Sequence, residues 1–264
     1  MTSIAADSFV FARRNVAHIR QIPEKLLDVT LQPIMFTLLF AFVFGGVIAV
    51  PGGGSYREYL IGGILVQTIA FGMMGPGTSL ATDLTEGVVD RFRTLPIARP
   101  AFLVGHMLAE LGGMALAITI LSLTGLLVGW RIDSDLPHAI AGYALLLAFA
   151  LAMVWVGLLI GVSVRSADAV MGIGFTVVFP LTFVATTFVP LDGLPTVLRE
   201  FALWNPISSL AASTRLLFGN PTGLPADVGW PLSHPIVYSV LWIIAIIAVV
   251  VPLTIHRFRT RTSN

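Results

Sequence analysis

The chain has 264 residues, 56% hydrophobic and only 11% charged, which is too little polar surface to cover a soluble domain of this size. Its net charge of +1 gives no bulk electrostatic case for a nucleic-acid partner, and the lack of cysteine excludes disulfides, thiolate chemistry and cysteine-ligated metal. What remains is an all-α integral membrane protein. Because a crossing takes about 20 mostly apolar residues, the chain has room for six spans and no separate soluble domain, so residues 1–264 form a single transmembrane domain.

Within residues 1–30, Phe9, Ala12, Val16 and Ile19 follow helical spacing, and Arg14, His18 and Gln21 fall roughly opposite. This pattern predicts an amphipathic helix lying at the interface and ending near Pro23. The first long apolar run starts near Leu31. It is too long for a signal-peptide core and has no clear small-residue cleavage site after it, so it reads as a retained span.

Span 1 covers about 31–50 and is rich in phenylalanine (Phe36, Phe40, Phe42, Phe44), and PGGGS at 51–55 predicts a tight turn. Span 2 covers about 58–80. Within it, GMMGPG at 72–77 should weaken the helix near one end, with a kink or break where Pro76 removes a backbone donor. The loop that follows, 83–103, is the one long internal segment dense in charge: Asp83, Glu86, Asp90, Arg91, Arg93 and Arg99. Such a loop cannot lie in hydrocarbon, and its mixed charge suits docking on a soluble protein better than attraction to anionic lipid.

Span 3 is expected at about 105–129, span 4 at 139–164, and span 5 at 170–189 with Pro180 inside it. Residues 190–235 are too polar for an ordinary span and too apolar for an ordinary loop. Leu194, Leu198 and Phe201 have helical spacing, Trp204, Asn205 and Pro206 make a break, and 208–218 suits a second short helix, so an interfacial or re-entrant helical pair is expected. Span 6 covers about 236–253 and leads into the basic tail HRFRTRTSN.

Basic residues set the orientation. With the N-terminus cytoplasmic, the inner side holds eleven Lys and Arg, and the outer side holds four: Arg57, Arg131, Arg199 and Arg215. That asymmetry predicts a multi-pass protein of the plasma membrane with both termini and the charged loop in the cytoplasm.

The P-loop needs a lysine beside its glycines, and the only lysine is Lys25 in QIPEKLL, so the chain carries no phosphate-binding loop of that kind. His106 and Glu110 share a helix face at the start of span 3, where they could serve a proton relay or half a metal site, or simply pack. The middles of the spans otherwise hold no series of ionisable groups, and neither HExxH nor GxSxG occurs. Gly125 with Gly129, and Gly157 with Gly161, form small-xxx-small pairs suited to close helix packing. Phe36, Phe40 and Phe44 of span 1, with Phe71, Met73 and Met74 of span 2, are the candidates to line a path for an apolar substrate. The competing reading is an ATP-independent, proton-coupled carrier built on His106 and Glu110.

Two segments carry a family resemblance. EGVVDRFRTLPIARPAFLVGHML at 86–108 and FVPLDGLPTVLREFALWNPISSLAASTRLLFGNP at 188–221 resemble the loop after span 2 and the external segment of the type-2 ABC exporter permeases, particularly those of the daunorubicin-resistance type. Phe92 stands where leucine is frequent between the two arginines. The resemblance implies a six-span exporter subunit that lacks its own nucleotide site. It further implies a separate cytoplasmic ATPase that binds ATP and magnesium, and a second permease, identical or related. On this analogy Glu86, Asp90, Arg91, Arg93, Pro96 and Arg99 couple to the ATPase, and Trp204, Asn205 and Arg215 help close the outer end of the pathway. The substrate implied is a hydrophobic or amphiphilic drug, lipid or glycolipid.

Overall fold

The computed structural model describes residues 23–87, 99–225 and 228–261, and among these every regular element is helical. In chain order the helices are α1 Pro23–Val43, α2 Tyr56–Gly72, α3 Met74–Thr85, α4 Arg99–Val128, α5 Leu136–Ser163 and α6 Ala167–Phe183. A 3-10 turn at Leu191–Gly193 follows, then α7 Thr196–Trp204, α8 Pro206–Leu217, α9 Trp230–Ser233 and α10 Pro235–Arg261. Among the described residues four stretches are long and apolar enough to cross a membrane: Tyr56–Thr85, Leu103–Val128, Leu136–Ser163 and Pro235–Arg261. Ile34–Val43, the apolar part of the 21-residue α1, and Ala167–Phe183 are shorter apolar helices.

The short ones end early for local reasons. α1 stops at Val43 rather than continuing to residue 50, because Gly45 and Gly46 weaken the helix and Pro51 follows. The turn beyond uses glycine at positive φ three times running (Gly52, Gly53, Gly54), and Ser55 and Glu58 then form a capping box that starts α2. α6 stops at Phe183 because Pro180 breaks the hydrogen-bond ladder one turn earlier, and residues 184–189 fold back on the bundle. The break in span 2 falls at Met73, well inside the 30-residue stretch, and Pro76 sits in the first turn of α3, where its missing N–H costs nothing.

α2 is the centre of the bundle, packed by α1, α4, α5, α6 and α8, and most of its residues are buried. α5 lies against α3 at backbone distance: a Cβ on Gly157 would stand 2.0 Å from the Met73 carbonyl oxygen, and one on Gly161 would stand 2.4 Å from that of Gly77. This glycine pair therefore works as a packing seam. The other pair does not, because Gly129 (φ +104°) terminates α4 and only Gly125 packs, against Trp130 and Ile61. The charged segment is also shorter than expected at 83–103. α3 runs to Thr85, Gly87 at φ +68° turns the chain away, and Arg99 already opens α4.

Candidate functional site

Two features at one end of the bundle stand out, an aromatic face and a buried arginine. On α1, Phe36, Phe40 and Phe44 recur every fourth residue and stack in sequence, with centroids 6.0 and 5.1 Å apart. Phe40 then stacks on Phe188 at 4.4 Å, Phe188 meets Phe183 at 5.2 Å, and Phe183 stacks on Phe179 at 4.2 Å. Phe71 of α2 and Phe175 of α6 make an edge contact at 5.6 Å. Phe175, Phe179 and Phe183 form one stripe on α6, and all three, with Phe36, are exposed. The result is a chain of rings exposed at its two ends, Phe36 on α1 and Phe175, Phe179 and Phe183 on α6, and joined through half-buried Phe40 and buried Phe188, so that the rings order each other.

The same fold-back, 184–189, leaves three consecutive carbonyls off any helix ladder, and each is claimed by a side chain. Tyr59 Oη donates to Thr186 O at 2.7 Å, Arg215 Nη2 donates to Thr186 O and Thr187 O at 2.8 and 3.0 Å, and Tyr56 Oη donates to Phe188 O at 3.0 Å. Arg215 Nε also donates to Tyr59 O at 2.6 Å, and its guanidinium lies 3.5 Å from the centroid of the Tyr59 ring. Arg215 is 0% exposed and has no carboxylate partner among the described residues. Its charge is balanced instead by carbonyl dipoles and an aromatic face. Glycine makes the approach possible: a Cβ on Gly63 would fall 2.1 Å from Thr187 O, and one on Gly62 would fall 2.8 Å from Arg215 Cγ.

α8, which carries Arg215, is held on both sides. Asn205 caps it through Oδ1, which accepts from Ile207 N at 2.9 Å, while its Nδ2 donates to Leu181 O at 2.7 Å, a carbonyl in the last turn of α6 that the end of the helix leaves open. Ser209 and Ser213 each contact Ser239 of α10, at 3.0 and 3.1 Å. Trp204 is exposed, and its carbonyl accepts from Tyr238.

Residues 8–218, four-fifths of the chain, match the family described as ABC-2 type transporter. The chain belongs to the ABC-2 type transporter family. Among its relatives is the daunorubicin resistance ABC transporter permease protein DrrB1 of Streptomyces coeruleorubidus, 29% identical over 93% of this chain and 83% of the relative. The doxorubicin resistance ABC transporter permease protein DrrB of Mycobacterium tuberculosis is 24% identical, covering 82% and 76%. The putative transport permease ycf38 of Cyanophora paradoxa is 22% identical, covering 83% and 76%.

As an ABC-2 permease the chain brings some of the expected residues together and separates others. Phe36, Phe40 and Phe44 lie on the aromatic face, and Phe71 joins it through Phe175. Met73 and Met74 are buried at the α2–α3 break, with Met74 filling the space over Gly174, so they pack the core rather than line a surface. Asn205 and Arg215 are likewise interior groups that tie the fold-back down, whereas Trp204 faces outward. Of the coupling residues, Glu86 is the C-cap of α3 and Arg99 the first residue of α4, while Asp90, Arg91, Arg93 and Pro96 lie outside the described residues, as do 1–22 of the interfacial helix.

At this opposite end Asp83 Oδ2 and His106 Nε2 are 2.9 Å apart, joining α3 to α4 across the charged link. His106 is thus engaged with Asp83, and Glu110 lies alongside Gly75, where a Cβ would stand 3.2 Å from its Oε2. The four phenylalanines 175, 179, 183 and 188 were not singled out in the sequence, although the i, i+4, i+8 spacing of the first three in span 5 is as plain as that of Phe36, Phe40 and Phe44.

Proposed function

We propose that this chain is the membrane subunit of an ATP-driven exporter that moves a hydrophobic or amphiphilic compound out of the cell. The energy comes from a separate cytoplasmic P-loop ATPase that binds ATP and magnesium. The observation that carries the reading is the ordered chain of phenylalanine rings from Phe36 to Phe179, exposed at both its ends, in a chain of this family. Stacked rings offer dispersion and π contacts to a planar or greasy molecule without demanding a fixed hydrogen-bond pattern, which suits a drug of the kind named for the Streptomyces relative. A lipid or glycolipid meets the same chemistry. The link 86–98, held at its base by Asp83 and His106, is the docking handle for the ATPase. A second permease copy, or a related one, completes the conduit, and both termini lie in the cytoplasm.

The test is ATP-dependent uptake of daunorubicin into inverted membrane vesicles holding the chain and its ATPase. Phe179→Ala with Phe183→Ala should cut uptake several-fold while the ATPase still copurifies, and charge reversal at Arg91 and Arg93 should weaken copurification. Proton-driven uptake by vesicles lacking the ATPase would overturn the reading in favour of a carrier working through His106.

A further inference from the structure

Between the C-terminal ends of α5 and α10 lies an open cavity of about 360 Å³ lined by Ser163, Arg165, Arg257, Thr260 and Arg261 together with Val162 and Val164. A helix C-terminus ordinarily attracts cations through its open carbonyls. At the α5 end Arg261 already serves two of them, its Nη1 donating to Val162 O at 2.8 Å and to Val164 O at 2.6 Å. Arg165 and Arg257 therefore remain as surplus positive charge. Both are exposed, and neither makes an ion pair among the described residues; Asp168, the nearest acid in sequence, pairs with neither. The cavity is more than ten times the roughly 30 Å³ that one water occupies in the liquid, room for a headgroup rather than a small ion.

What lies beside the cavity chooses between a soluble anion and a lipid. Val249 and Leu253 precede Arg257 by two steps of four residues on α10, and they are 64% and 39% exposed. An exposed apolar track thus runs down a membrane-crossing helix and ends at the exposed guanidinium of Arg257. We infer that this cavity holds the phosphate of an anionic glycerophospholipid, with the headgroup between Arg165 and Arg257 and an acyl chain along Val249 and Leu253. Basic pockets between spans at a membrane surface have the chemistry for such headgroups. The site is separate from the aromatic face, so its failure would leave the transport reading intact.

The full chain in neutral detergent would be titrated with phosphatidylglycerol, phosphatidylcholine or inorganic phosphate, following bound lipid by native mass spectrometry and thermal stability in parallel. Phosphatidylglycerol should be retained and should stabilise, and the other two should not. Each basic group near an anionic headgroup contributes about 1 kcal/mol, so Arg165→Gln with Arg257→Gln should weaken retention roughly 30-fold. Arg199→Gln, which removes a charge at the other end, should leave it unchanged. Equal retention by the double variant, or equal protection by inorganic phosphate, overturns the lipid assignment. So does a double variant that keeps its lipid but loses the ATPase, since the site then belongs to the protein partner.

Discussion

Arg215 illustrates how one side chain can replace a stretch of secondary structure. It converts an irregular run that would strand carbonyls in the bundle into a hydrogen-bonded one, and it does so without an acid to neutralise it. Replacing a buried charge by an apolar residue of similar size is often tolerated, but here Thr187 O would lose its donor. A stranded acceptor costs about 1–3 kcal/mol, and truncation adds a cavity on top. The expected order of thermal stability in detergent is therefore wild type, then Arg215→Met, then Arg215→Ala. If Arg215→Met melts with wild type, the carbonyl clamp contributes nothing. Asp135 offers a gentler probe at the same scale. The His138 side chain and then its backbone N–H hydrogen-bond the Asp135 carboxylate and hold its pKa below the usual range. Because the folded-state value is depressed, this contribution is complete above the ordinary aspartate pKa of about 3.9 and is lost as pH falls through the lower folded value. Asp135→Asn keeps a capping oxygen but cannot ionise. Its melting temperature should fall below wild type at neutral pH and converge with it in acid, which thermal melts across pH would show.

At the scale of elements, the seam between α3 and α5 is set by backbone touching backbone, so its glycines should be intolerant where others are not. Gly157→Ala drives a methyl into the Met73 carbonyl, and overpacking of this kind costs about 1–3 kcal/mol. Gly113 lies in α4 with nothing from the other described elements within 4 Å of its Cβ position, so Gly113→Ala should stabilise by about 0.5–1 kcal/mol through helix propensity alone. Comparing the folded yield and melting of the two checks the seam. These elements also show what could be read without coordinates. The break at GMMGPG and the paired short helices around Asn205-Pro206 were legible, because proline and glycine act locally. Where helices stop short was not, since hydropathy continues past Val43 and Phe183 while the backbone turns. Nor was the burial of Arg215, whose partner Tyr59 lies 156 residues away and whose local sequence looks like any amphipathic surface helix. A chain pattern reports the face a residue lies on, and only the fold reports what covers that face.

At the scale of the molecule, the distribution of arginine gains a physical meaning beyond the count. Of the four at the end that carries the aromatic face, Arg57 donates to Val128 O, Arg131 to Leu126 O and Trp130 O, and Arg215 to the fold-back, while Arg199 lies 3.8 Å from Asp192. They are spent on structure. Arg165 and Arg257 at the opposite end are exposed and carry no such engagement among the described residues, so that end presents its charge to its surroundings. Trp230, Tyr238 and Trp242 contact one another edge-on along α9 and α10 and mark an aromatic girdle at the first end. The arginine asymmetry supports the proposed orientation, with the Arg57 end outside and the charged link on the cytoplasmic side, within reach of the proposed ATPase; the aromatic girdle marks an interface and is silent on which side it faces. The chain has no native cysteine, so single replacements report topology without background. Asp133→Cys, exposed in the link before α5, should react with a membrane-impermeant maleimide in intact cells, and Thr85→Cys, exposed at the end of α3, only after permeabilisation. The reverse pattern would put the charged link outside, beyond the reach of any ATP-hydrolysing partner, and the export reading would fall with it.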